Sequence, residues 1–160
     1  MLAIEENDLV ATQELIKKHP AIVNQRNDFG MSPLMYASLR GHTELSKILM
    51  GSGADIGEIS VDGRTPLMVA VLENNTPLVQ LFLQQGTNVN QVDRFGGTPL
   101  TYAVQTGNEE LVSILITQNA DVNVRDVEGD TVLMSAVRKG TLPIVKALLE
   151  AGADVKAKNF

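Results

Sequence analysis

Apolar residues recur at i, i+3 and i+4 in four evenly spaced places: Leu45, Ile48, Leu49; Leu78, Leu81, Phe82; Leu111, Ile114, Leu115; and Ile144, Ala147, Leu148. That spacing puts each trio on one stripe of a helix. A shorter apolar segment precedes each stripe. The clearest reads DGRTPLMVA over residues 62–70. Thr65 suits a helix N-cap, because its hydroxyl accepts from a free N–H of the first turn. Pro66 then takes the first helical position, where its missing N–H costs nothing. The stretch recurs every 33 residues, with Pro33, Pro66, Pro99 and Val132 in register, and Ala37, Ala70, Ala103 and Ala136 behind them. The pattern predicts pairs of short helices.

Punctuation keeps the same step. Gly41, Asn74, Gly107 and Gly140 separate the two helices of each pair, and Gly53, Gly86, Asn119 and Gly152 follow the second helix. Gly and Asn tolerate the left-handed conformation that ends helices. Pro77 and Pro143 fall in the first turns of their helices, where proline is tolerated. A lone pair of such helices cannot bury its stripe, whereas stacked neighbours bury it cooperatively.

The unit of turn, TPLxxA, two antiparallel helices and GADVN resembles the ankyrin repeat. The resemblance implies an all-α solenoid of antiparallel helix pairs with β-hairpin-like loops. It covers nearly the whole chain as one domain, residues 1–160, with repeats at 27–59, 60–92, 93–125 and 126–158 and a degenerate N-terminal repeat at 1–26. In that first unit Asp8–Lys18 is the expected second helix, Met1–Glu6 a remnant of the first, and Pro20-Ala21-Ile22-Val23-Asn24 the counterpart of GADVN.

Departures from the family pattern define further expectations. The family's His after TPL is replaced by Met35, Met68, Thr101 and Met134. That His bonds loop backbone in the family, so soft packing is expected at the methionines. The loop DIGEIS lacks both the family's Asn and the following Asp, which puts its hairpin in question. Val132 replaces the helix-starting Pro. With no distinctly polar helix closing the last repeat, the expectation is a segment of a longer array or a last helix covered by something else.

Composition narrows the partners. Thirteen basic residues against 19 acidic ones give a net charge of −6. Nucleic-acid backbones and anionic membranes need clustered Lys and Arg, so neither is expected as a partner. The absence of Cys excludes disulfides and thiolate metal sites. Glu5, Glu6, Asp8 and Glu14 interrupt any apolar leader at the start, and no apolar run is long enough for a transmembrane helix. Cytoplasm is the default expectation.

Catalytic chemistry is not expected. GSGADIG at 51–57 is GxGxxxG after a helix, not the GxGxxG that follows a strand in dinucleotide sites. DVNVRDVEGD at 121–130 places Arg125 where a calcium loop needs a ligand. His19 and His42 lie in different repeats without Cys partners, so no zinc site is expected, and His42 reads as part of the family's GH turn. No Ser or Thr stands in a nucleophile setting with a His base and an acid. Hence no catalytic, cofactor or metal residues are assigned. Asn90 and Asn123 occupy the loop position that is hydroxylated in some relatives; the favoured reading is that each satisfies its own loop.

The expected function follows from the resemblance: protein or peptide binding through the concave face and loop tips. Phe29 and Phe95, and Tyr36 and Tyr102, recur two repeats apart. Helix spacing would set the pairs on the order of 20 Å apart on one face. Arginine and aromatics anchor interfaces. The expected contact residues are Phe29, Met31, Tyr36, Arg40, Arg64, Glu73, Arg94, Phe95, Tyr102 and Arg138, facing a segment with acidic groups. Two other readings stand beside it. One is an architectural or self-associating segment, a monomer or weak self-associate through the C-terminal end. The other, small-molecule or nucleotide binding, lacks a basic pocket.

Overall fold

Each first helix starts on a hydroxyl. Ser32 Oγ accepts from Met35 N at 3.2 Å, Thr65 Oγ1 from Met68 N at 3.2 Å, Thr98 Oγ1 from Thr101 N at 3.3 Å and Thr131 Oγ1 from Met134 N at 3.3 Å. These bonds satisfy donors that a helix start leaves open. The last cap works with Val132 in place of proline. A computed structural model describes residues 6–159 of the chain; the expected remnant Met1–Glu6 lies almost entirely outside them.

Among the described residues the secondary structure is helical, with one isolated bridge between Arg125 and Thr131. The helices are α1 (Leu9–Lys18), α2 (Pro33–Leu39), α3 (Thr43–Gly51), α4 (Pro66–Leu72), α5 (Thr76–Gln84), α6 (Pro99–Thr106), α7 (Glu109–Thr117), α8 (Val132–Lys139) and α9 (Leu142–Glu150). Pro20–Asn24 forms a 3₁₀ turn rather than a plain GADVN-type segment. Pro20 suits its first position, which explains the difference. The punctuation residues take positive φ, with Asn74 at 54°, Gly107 at 76°, Asn119 at 61° and Gly140 at 76°.

The chain divides into two compact units, residues 1–87 and 88–160. In the first, α2 packs on α3, α4 and the 3₁₀ turn, α4 on α5, and α1 on α3 and the 3₁₀ turn. Its core is Leu34, Leu45, Leu49, Leu67, Leu78 and Phe82, all fully buried. In the second, α6 packs on α7 and α8, and α9 on α7 and α8. Leu100, Leu111, Leu115 and Leu148 are fully buried there. Each such side chain contributes about 1.5–3 kcal/mol of transfer free energy. The i, i+3, i+4 stripes therefore face the core, and the loops before the first helices stay at the surface.

Candidate functional site

Four tight turns precede the first helices, and one device builds them. In the second unit Asp93 Oδ1 accepts from Phe95 N at 2.9 Å and Gly97 N at 2.8 Å, while Asp93 N donates to Gly97 O at 2.9 Å. Asp126 repeats this with Glu128 N at 3.0 Å and Asp130 N at 2.9 Å. In the first unit Asn27 Oδ1 takes Phe29 N at 3.0 Å and Met31 N at 2.9 Å. Asx side chains hold such turns by replacing a backbone acceptor. The turn expected to be in question after DIGEIS forms as well. Ser60 Oγ accepts from Arg64 N at 3.2 Å, Ser60 N donates to Arg64 O at 2.9 Å, and Gly63 supplies φ of 81°. A hydroxyl thus replaces the missing carboxylate.

The turns lift side chains away from the core. Phe29 is 73% exposed and Phe95 52%. Neighbouring tips touch within each unit: Val127 N donates to Phe95 O at 3.4 Å. A Cβ on Gly96 would lie 2.7 Å from Asp126 Cα, so only glycine allows this approach.

Each unit holds a groove between its tips and its first helices. That of the second unit encloses about 590 Å³ and is lined by Phe95, Gly97, Thr101, Tyr102, Gln105, Asp126, Val127, Glu128, Ser135, Arg138 and Lys139. That of the first encloses about 320 Å³, lined by Phe29, Met31, Met35, Leu39, Ser60, Asp62, Arg64, Val69, Leu72 and Glu73. Of the expected contact residues, Phe29, Met31, Arg64 and Glu73 meet in one groove and Phe95, Tyr102 and Arg138 in the other. Tyr36, Arg40 and Arg94 line neither, although Arg40 and Arg94 are exposed.

One expectation needs correction. Tyr102 is not an exposed anchor: it is 5% exposed, and its hydroxyl donates to Asp93 Oδ2. The aspartate that holds the tip needs a partner for its second oxygen, which explains the placement. Arg138 is exposed, but its guanidinium is bound to Asp130 Oδ2. That contact, with help from Asn159, holds the Asp130 carboxyl below its ordinary range against the opposing effect of burial.

A family model described as Ankyrin repeats (3 copies) matches the chain twice, over residues 1–93 and 67–159. The chain belongs to the ankyrin-repeat family. No curated protein matches it significantly. Ankyrin repeats are generally protein–protein interaction modules and typically non-enzymatic.

The departures from the ankyrin pattern have physical answers. Met68 Sδ and Met134 Sδ each accept the N-cap N–H, from Thr65 and Thr131, at 3.5 Å, and Thr101 Oγ1 accepts from Thr98 N at 3.2 Å. Two methionines therefore add weak acceptance to the expected packing. Asn90 and Asn123 do not serve their own loops. Asn90 Nδ2 donates to Asn119 O at 3.2 Å and Oδ1 accepts from Asp121 N at 2.8 Å. Asn123 does the same to Gly152 O at 3.4 Å and Asp154 N at 2.8 Å. Asn24 latches Gly53 O at 3.0 Å and Asp55 N at 2.9 Å. The residue in register between Asn24 and Asn90 is Gly57, which has no amide to give.

Glu58 was not singled out from the sequence, and it is the most perturbed acid among the described residues. It is 5% exposed, with Arg26 Nε 3.7 Å from Oε2. Burial pushes its carboxyl up to about 7, with Arg26 opposing and Asp55 adding. The only signal in the sequence is a charge where neighbouring repeats carry Gln25 and Gln91. Asp126, Glu128 and Asp130 place oxygens within 4.8 Å of one another. Arg138 and Asn159 already occupy Asp130, which makes that cluster a poor cation site. No described helix is long and apolar enough to cross a membrane.

Proposed function

We propose that this ankyrin-repeat protein is a non-enzymatic binding module that holds a protein or peptide partner in the grooves under its tips. The observation that carries the reading is the exposure of Phe29 and Phe95 on turns whose backbone is pinned from below. An aromatic ring on a fixed turn offers large apolar area at little ordering cost, which is what an interface anchor requires. Around the two rings, Met31, Arg64, Glu73 and Arg138 form the groove walls and set specificity. Tyr36, Arg40 and Arg94 are peripheral contacts, and Tyr102 positions a tip. The repeats at 27–59, 60–92, 93–125 and 126–158 are read as one array. Affinity capture from source-cell extract with wild type and with Phe29→Ala/Phe95→Ala tests the reading, after circular dichroism shows both folded. A partner retained by wild type and lost by the variant is the expected result. Equal retention moves the site away from the tips.

A second reading rests on a different observation. Leu142, Leu149 and Val155 are exposed in and after the last helix. This favours weak self-association through the C-terminal end. A concentration series in light scattering tests it: a constant mass rejects it.

A further inference from the structure

The two grooves occupy the same place in repeats two periods apart, yet their walls differ in chemistry. Leu39 in the first unit stands where Gln105 stands in the second; Val69 answers to Ser135, Leu72 to Arg138 and Glu73 to Lys139. The phenylalanine at the tip is common to both, as is an acid behind it, Asp62 or Glu128. The first groove therefore has an apolar wall with carboxylates at its rim. The second has a polar wall whose rim mixes Arg138 and Lys139 with Asp126 and Glu128.

We propose that the groove of the first unit takes an apolar peptide segment flanked by basic side chains. The inference rests on the binding-module reading above and names the partner's chemistry at one of its two grooves. Phe29 and Leu39 are exposed, Leu72 is half-buried and Val69 forms the floor. An apolar side chain inserted there removes Phe29, Leu39 and Leu72 from water above the already buried Val69, and area removed from water drives association. Asp62 and Glu73 are both exposed, so their carboxylates face an incoming charge. The cation in the groove, Arg64, is half-buried and already engaged. The surrounding chain has the same sign: residues 1–87 hold ten Asp and Glu against six Lys and Arg. Complementary potential steers encounter and selects among partners. An acidic segment, expected from the arginine pattern alone, meets repulsion at this groove.

The test uses the full 160-residue chain and three short synthetic peptides. They share one Leu/Phe core and carry Lys/Arg, Gln/Ser or Asp/Glu flanks. Binding is followed by fluorescence anisotropy at low and high salt. The basic peptide binds tightest and loses affinity with salt. Glu73→Lys, which copies the second unit's residue, weakens it about fivefold or more, since one exposed attraction becomes a repulsion. Asp62→Asn weakens it less, and Phe29→Ala abolishes it. Lys146→Gln, at an exposed position of α9 outside both grooves, leaves it unchanged. Tighter binding of the neutral or acidic peptide, or indifference to Glu73→Lys in a folded variant, overturns the inference while the binding-module reading stands. Failure of all three peptides to bind also overturns it, and the capture experiment with the tip variant then decides the module reading separately.

Discussion

The Tyr102 hydroxyl donates to Asp93 Oδ2, and Asp93 Oδ1 in turn holds the backbone N–H groups of Phe95 and Gly97. A side chain of α6 is thereby tied to the turn that presents the exposed phenylalanine. Asp93 is buried, so removing the hydroxyl takes one donor from a carboxylate shielded from water. Tyr102→Phe is expected to cost about 1–3 kcal/mol. Urea unfolding followed by circular dichroism measures it. An unchanged midpoint would mean that the tip does not depend on this bond.

Gly96 joins the same turn to its neighbour. Its φ is 75°, and a Cβ would meet Asp126 Cα at 2.7 Å. Left-handed backbone and a backbone clash both oppose Gly96→Ala. The expected loss is about 2 kcal/mol or more, read as a lower thermal midpoint. Gly152 lacks the second problem, with nothing within 4 Å of a Cβ. Gly152→Ala should therefore cost clearly less.

The asparagine latches predict a pair of opposite effects. Asn123→Ala removes two bonds to the next loop, to Gly152 O and Asp154 N. It should destabilise by about 1–2 kcal/mol. Gly57→Asn supplies an amide 29 residues before Gly86, the separation at which Asn24 bonds Gly53. The nearest atom to a Cβ at Gly57 is Asp55 Oδ1 at 3.6 Å, so there is room. The substitution also restricts the unfolded chain. A rise in thermal midpoint is expected; a fall would show that this loop is shaped for glycine.

These latches also mark what the sequence made legible. The step of 33 exposed the caps Thr65 and Thr98, the helix stripes and the left-handed stops, because each is a local rule read from neighbouring residues. The tips were legible as positions, and Phe29 and Phe95 are indeed exposed on them. Bonds that span registers were not. Nothing near Tyr102 announces that Asp93, nine residues earlier, takes its hydroxyl. Nor does Asn123 announce a partner 29 residues on. A tyrosine in register with Tyr36 reads equally as surface or wall, and only the packed structure separates them.

Glu58 gives the pH dependence its sign. Its folded carboxyl titrates near 7, above its usual 4.5. The folded state therefore binds the proton more tightly than the unfolded state. Its stabilising contribution is present below about 4.5 and is lost as pH rises through 7. Glu58→Gln removes that slope. Relative to wild type, the variant should gain on the order of 2 kcal/mol between pH 5 and 8. Chemical denaturation at both pH values measures the difference; parallel pH dependence of the two proteins contradicts it. Asp130 acts in the opposite sense, since its carboxyl is held low by Arg138. Its contribution is present at neutral pH and is lost on acidification through that lowered value.

The most direct test of the central claim is a hydrogen-exchange footprint of the full chain with and without a captured partner. Groove binding predicts slowed exchange at the tips around Phe29 and Phe95 and along α2, α4, α6 and α8, with α3, α5 and α7 unchanged. Protection confined to the second helices, with the tips exchanging as freely as before, would contradict it.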